Sequence, residues 1–165
     1  MFSAERGRTA ASLEGMLVEA QWNPKTESFV ARIGKKNLRV KFLDKVVGDE
    51  MAMTMEAAVE ESRSRVAINY RFGYRVVEDV YFWKSASAGQ EFLVVNTVFG
   101  AHAGGLYIFN LKETSTPLVK YVESTQPITL EWDPAHVKLG IRYTTLQGQD
   151  GEEGLEAEVK SEFVP

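Results

Sequence analysis

The 165 residues predict a mainly β fold, a β-rich α+β domain dominated by an antiparallel meander that forms a sandwich or a barrel. Three observations carry that expectation. Short segments rich in β-branched and aromatic residues recur at near-regular spacing from Val66 onward. Turn-forming residues punctuate them at Gly73, 85–89, 100–105, Pro117, Pro127 and Asp133-Pro134. Two of the segments, 81–83 and 92–95, are apolar without alternation, which places them centrally, covered on both faces.

Residues 13–22 are apolar at mixed spacing and suit a short helix or a strand; Asn23-Pro24-Lys25-Thr26 then signals a turn. Phe29, Ala31 and Ile33, followed by Leu38, Val40 and Phe42, alternate with polar neighbours across Gly34-Lys35-Lys36-Asn37. This predicts a hairpin with Arg39 and Lys41 on the face opposite Val40 and Phe42. Residues 50–64 are expected to form a short helix. Met51, Met55, Val59 and Ser62 keep helical spacing, and methionine, alanine and glutamate favour helix, although Met51 to Val59 also fits period two. The methionines read as adaptable core packing rather than a binding groove.

Strands follow over 66–72, 74–84, 91–99, 106–111, 118–122, 128–132 and 137–144. After a polar, glycine-rich stretch at 147–154, Leu155, Ala157, Val159 and Phe163 alternate with Glu156, Glu158, Lys160 and Glu162. That pattern suits an edge strand with its charged row outward and its apolar row inward; a helix with Leu155, Val159 and Phe163 on one stripe is the alternative. No internal repeat is visible, so 1–165 reads as one domain. A division, if present, falls near Gly48, between an N-terminal unit at 13–48 and a meander at 66–164.

Composition narrows the function. An apolar fraction of 44% and a charged fraction of 25% are those of a globular chain. The absence of cysteine removes disulfides, thiolate nucleophiles and sulfur-held metals. No stretch approaches the ~18 apolar residues of a membrane span, and the first residues lack the apolar core of a signal peptide. The expectation is a soluble protein of cytoplasmic type. A net charge of −4 weighs against nucleic acid as the partner. The charge is unevenly placed. Lys25, Arg32, Lys35, Lys36, Arg39, Lys41 and Lys45 crowd one region, while Asp150, Glu152, Glu153, Glu156, Glu158 and Glu162 crowd the C-terminal one. Such blocks are solvated faces or complementary patches that steer association.

Catalytic signatures are sparse. His102, in the small-residue loop Gly100-Ala101-His102-Ala103-Gly104-Gly105, is a candidate binding residue because glycines permit close backbone approach. That loop lacks the lysine and hydroxyl residue of a phosphate-binding loop. Asp133 and His136 share a turn and have no third ligand in view, so no metal is expected. Glu78, Asp79, Glu91 and Glu131 supply carboxylates without a spacing that pairs them. No cofactor motif is present and no cofactor is expected.

Gly15-x-x-Val18-Glu19-Ala20-x-Trp22, then Phe29-Val30-Ala31-Arg32-Ile33, then Val40-Lys41-Phe42-Leu43-Asp44, resemble the opening strands of a Tudor-type SH3-like barrel. The resemblance covers residues 15–47, and the aromatic residue such domains place after the Asp is replaced by Lys45. It implies an SH3-like hairpin unit. It also implies a reader of methylated side chains, with Trp22, Phe29 and Phe42 supplying a cation–π cage. The residues themselves favour a non-catalytic protein–protein interaction module: an assembly or structural subunit, or an inhibitor- or immunity-type partner, binding another protein or itself. Arg39 and Lys41 are its candidate contacts. The competing expectation is a β-barrel binding a small molecule or catalysing at its mouth, with Trp83, Tyr107, Trp132 and Tyr143 lining the cavity.

Overall fold

The computed structural model describes residues 16–73, 75–84, 90–100, 103–133, 138–147 and 156–163, and every regular element among them is a β-strand. Strands β1 (Met16–Glu19), β7 (Val76–Lys84), β8 (Glu91–Phe99), β9 (Ala103–Asn110) and β10 (Leu118–Ser124) form a central sheet in the order β1-β7-β8-β9-β10. Strands β2 (Gln21–Asn23), β3 (Ser28–Ile33), β4 (Lys36–Val47), β5 (Glu50–Glu61) and β6 (Ser64–Gly73) form a meander sheet in chain order. Strands β11 (Thr129–Asp133), β12 (Lys138–Gln147) and β13 (Glu156–Phe163) form a third, smaller sheet. All pairings are antiparallel, and the sheets stack as a sandwich without closing into a barrel.

Side chains on a strand alternate between faces, so a sheet covered on both sides needs apolar residues at every position. The central sheet meets that requirement. Val80, Phe82, Leu93, Val95 and Phe109 point to the meander sheet, where they meet Val40, Met53, Met55, Ile68 and Phe72. Their chain neighbours Tyr81, Trp83, Phe92, Val94, Leu106 and Ile108 point the other way, to Leu139 and Ile141 of the small sheet. Burying each such side chain contributes roughly 1.5–3 kcal/mol. The unbroken apolar runs at 81–83 and 92–95 thus do lie centrally, covered on both faces.

The helix expected at 50–64 is a strand. β5 buries Met53, Met55, Ala57 and Val59, the period-two set, and is hydrogen-bonded on both sides. Pairing along both edges outweighs the modest local preference of methionine and alanine for helix. Two-residue reversals bound it: Gly48-Asp49, with Gly48 at φ 63°, and Ser62-Arg63. Gly34, at φ 59°, turns β3 into β4 in the same way. Glycine adopts that left-handed backbone without steric cost.

Residues 15–47 contain the expected hairpin but not a closed SH3-like barrel. β1 belongs to the central sheet, and the chain crosses between sheets at Ala20, whose N–H donates to the Val80 carbonyl (2.8 Å). β4 is zipped to β5 from Asn37↔Glu60 to Val47↔Glu50, across the turn at Gly48. The expected meander is likewise divided among all three sheets.

β13 is an edge strand, as its pattern predicts, but its faces are inverted. Val159 is 63% exposed, whereas Glu162 shares the face of its partner Ile141 and binds Lys120 of β10 at 2.7 Å. β13 overhangs the central sheet where Lys120, not apolar surface, waits beneath it. A one-position slip exchanges every residue between faces. Leu155 and the stretch 148–154 lie outside the described residues, as do the side chains of Ala157 and Phe163.

Candidate docking surface

The meander sheet carries an overhang that follows from unequal strand lengths. β3 last pairs with β4 at Phe29↔Val40, yet β4 runs on to Val47 with β5 as its partner. On the other side β6 joins β5 at Ala52↔Gly73. The β4–β5 hairpin therefore projects as an arm, and residues 41–47 present a backbone edge with no partner strand among the described residues.

The two faces of this arm differ. Phe42 and Val46 of β4 stand opposite Met55 and Met51 of β5, continuing the row that faces the core. Past the rim of the central sheet the cover ends: Val46 is 65% exposed and Met51 is exposed as well. On the other face Arg39, Lys41, Leu43 and Lys45 follow one another, with Leu43 exposed. None of these three cations makes a hydrogen bond or ion pair among the described residues.

Trp22, Phe29 and Phe42 are brought together at the base of the arm. Trp22 meets Phe29 edge-on (centroids 5.2 Å, 67°), and Phe29 meets Phe42 edge-on (6.0 Å, 81°). The contacts continue inward through Phe72 (6.3 Å from Phe42) to Tyr107 (4.6 Å from Phe72). The rings thus form a file from surface to core. A cage would set their faces around one point. Trp22, 53% exposed, is the outer end of the file; Phe29 and Phe42 are half-buried against the core.

Arg39 and Lys41 lie on the opposite face of the sheet from this file, so the structure divides the predicted site residues into two groups. Arg39 lines a shallow groove of about 570 Å³ with Val30, Ala58, Arg32, Glu60 and Arg65. Arg32 is held by the Gly34 carbonyl (2.9 Å) and Asn37 Oδ1 (3.0 Å), and Arg65 by Glu60 (2.9 Å). Arg39 is the uncommitted cation of the groove. His102 and His136 lie outside the described residues.

Beside the loop that contains His102, the Arg75 guanidinium stacks on Phe99 (3.9 Å to the centroid) and donates to the Tyr121 hydroxyl (3.1 Å). Tyr107 joins this box. Burial pushes its hydroxyl up to about 12, with Arg75 opposing the shift. Gly105 closes it tightly: a Cβ there would stand 3.1 Å from Thr97 Oγ1 and 3.2 Å from the Tyr121 ring.

The residues proposed to line a cavity do not share one. Tyr107 faces the meander sheet, whereas Trp83 and Tyr143 pack in the layer between the central and small sheets; the Trp132 side chain lies outside the described residues. The carboxylates are dispersed too. Glu91 binds Lys36, Glu131 binds Arg142 (3.0 Å), and Asp79 faces Asn96. Among the described residues no group of three His, Asp or Glu side chains is placed to hold a metal, and no helix is long and apolar enough to cross a membrane.

Leu43, Lys45, Val46 and Met51 were not among the binding residues expected from sequence. The available signal was length: no glycine or proline interrupts residues 37–47 before Gly48. Comparison with family models, with curated proteins and with solved structures gives no match.

Proposed function

We propose that this chain is a non-catalytic protein–protein interaction module, an assembly subunit or inhibitor-type partner, that docks through the β4–β5 arm. The observation that carries the reading is the open edge at 41–47, flanked by exposed Leu43 and Val46 and by uncommitted Lys41 and Lys45. An exposed strand edge offers unpaired N–H and C=O groups to an incoming strand, while neighbouring side chains set specificity. Unpaired cations steer an acidic surface toward it. Trp22, with an apolar body and an exposed edge, belongs to the residue type most enriched at binding hot spots.

The test is affinity capture and cross-linking with the full chain, compared with Leu43→Ser/Val46→Ser. The reading expects a defined partner, or a second copy, that the variant loses while remaining folded. Equal capture by both proteins, or a wild-type chain that stays monomeric and captures nothing, overturns it. A second reading, a small anionic ligand in the groove of Arg39, draws on the groove volume, which lies within the range of ligand sites. It expects Arg39→Ala to abolish that binding and leave arm-mediated capture intact.

A further inference from the structure

We infer that the occupant of the arm's open edge is β13 of a second copy of this chain. The inference rests on the docking function proposed above and names its partner. β13 ends the small sheet, pairs with β12 along one side, and has no strand on the other among the described residues. Among the described residues β4 and β13 thus offer open edges of similar length, seven residues and eight.

Their charges are complementary. The β4 edge carries Lys41 and Lys45 against Asp44, whereas β13 carries Glu156, Glu158 and Glu162 against Lys160. The spacing also matches. Lys41 and Lys45 stand four positions apart, as do Glu158 and Glu162, so one register opposes both pairs at once. Glu162 keeps 31% of its side chain exposed while holding Lys120, and Val159, on the other face of β13, is exposed.

Pairing within one chain is excluded by the layers. The meander sheet covers one face of the central sheet and the small sheet covers the other, so β4 and β13 of the same copy stand on opposite sides of the molecule. Symmetric pairing of two β4 edges is disfavoured by charge. The pleat requires a two-fold register to centre on one residue. Centring on Leu43 sets Lys41 opposite Lys45; centring on Asp44 sets two aspartates face to face. Pairing of β4 with β13 of another copy is a head-to-tail contact, which builds rings or open chains of copies.

Sedimentation velocity on the full chain, with two charge-reversal variants, tests this. Wild type is expected to form a concentration-dependent series of oligomers that dissociates toward about 1 M salt, where screening acts within ~3 Å. Lys41→Glu/Lys45→Glu and Glu158→Lys/Glu162→Lys should each weaken self-association about tenfold or more. An equimolar mixture of the two should associate again, because each now supplies the edge the other lacks; that recovery also establishes that both are folded. A monomeric wild type overturns the second-copy assignment, and so does a mixture that fails to recover. If that monomer still captures another protein in a manner lost with Leu43→Ser/Val46→Ser, the docking reading stands without it. If the monomer captures nothing, both fall.

Discussion

Lys36 donates to Glu91 across 2.6 Å, joining the first residue of β4 to the first residue of β8 and so pinning the meander sheet to the central sheet at one end. Lys84 stands 4.0 Å from the same carboxylate oxygen, and Glu91 is 8% exposed. Replacing Glu91 by Ala leaves two cations facing a half-buried site with no counter-charge. The expected loss is about 1–3 kcal/mol, read as a lower urea midpoint at unchanged slope.

Gly105→Ala should destabilise by about 1–3 kcal/mol, because the new methyl group presses on Thr97 Oγ1 and on the Tyr121 ring. Thr97 cannot retreat freely, since its hydroxyl donates to the Gly105 carbonyl at 2.8 Å. Thermal unfolding of this variant beside Gly73→Ala, where a Cβ meets nothing within 4 Å, separates contact from backbone effects.

Alkaline pH should unfold the protein through its buried tyrosines. Tyr107 holds its proton up to about 12 because burial penalises the phenolate, against an unfolded value near 10. Tyr81 is raised too, by burial first and then by Asp79 and Glu19. In this window the unfolded chain releases protons that the folded chain keeps. The stabilisation is therefore fully present below about pH 10 and is lost as pH rises through about 12. Urea midpoints at stepped pH, with tyrosinate absorbance recorded in parallel, check the sign. A midpoint that rises across that window would contradict it.

Arg39→Gln/Lys41→Gln should change folding stability by no more than about 0.5 kcal/mol, because neither side chain makes a hydrogen bond or ion pair among the described residues. Trp22→Ala, at the exposed end of the aromatic file, removes one edge-to-face contact worth about 0.5–1.5 kcal/mol. Calorimetry of the free chain gives these values. Partner or self-association, measured separately, should fall by far more.

Leu93→Ala and Val159→Ser probe the layering. Leu93 is fully buried in the central sheet, and its truncation should cost about 2–5 kcal/mol. Val159, apolar yet solvent-facing, should tolerate serine within about 0.5 kcal/mol. A large loss at Val159 would restore the inward orientation that its alternation first suggested.

The last contrast marks where sequence stops being informative. Positions 92–95 could be read as central because a strand buried on both faces has no polar alternative. β8 matches its expected span, 91–99, residue for residue. Residues 50–61 satisfied two periods at once, and the deciding term, pairing with β4 and β6, is non-local. The faces of β13 depended on what lies beneath it, namely Lys120, thirty-six positions or more away in the chain. Assignment of strands to three sheets is equally invisible, since a strand's pattern records that it is covered but not by which partner. Within the candidate site, Arg39, Lys41, Trp22, Phe29 and Phe42 were legible as exposed charge and clustered aromatics. The open edge was not, because it arises from β3 ending before β4 does.

The crossing at Ala20 bears on how the molecule is made. Leu17 pairs with Trp83, so every hairpin of the meander lies inside the loop closed by β1 and β7. Hairpins with two-residue turns form within microseconds, whereas contacts of long sequence separation carry the entropy of closing the intervening chain and come late. Until β1 docks, the β7 backbone stands open along 81–84, which includes the apolar run 81–83. During synthesis and refolding, β7 rather than β4 is then the edge most exposed to adventitious pairing, and the brief strand β1 serves as its cover.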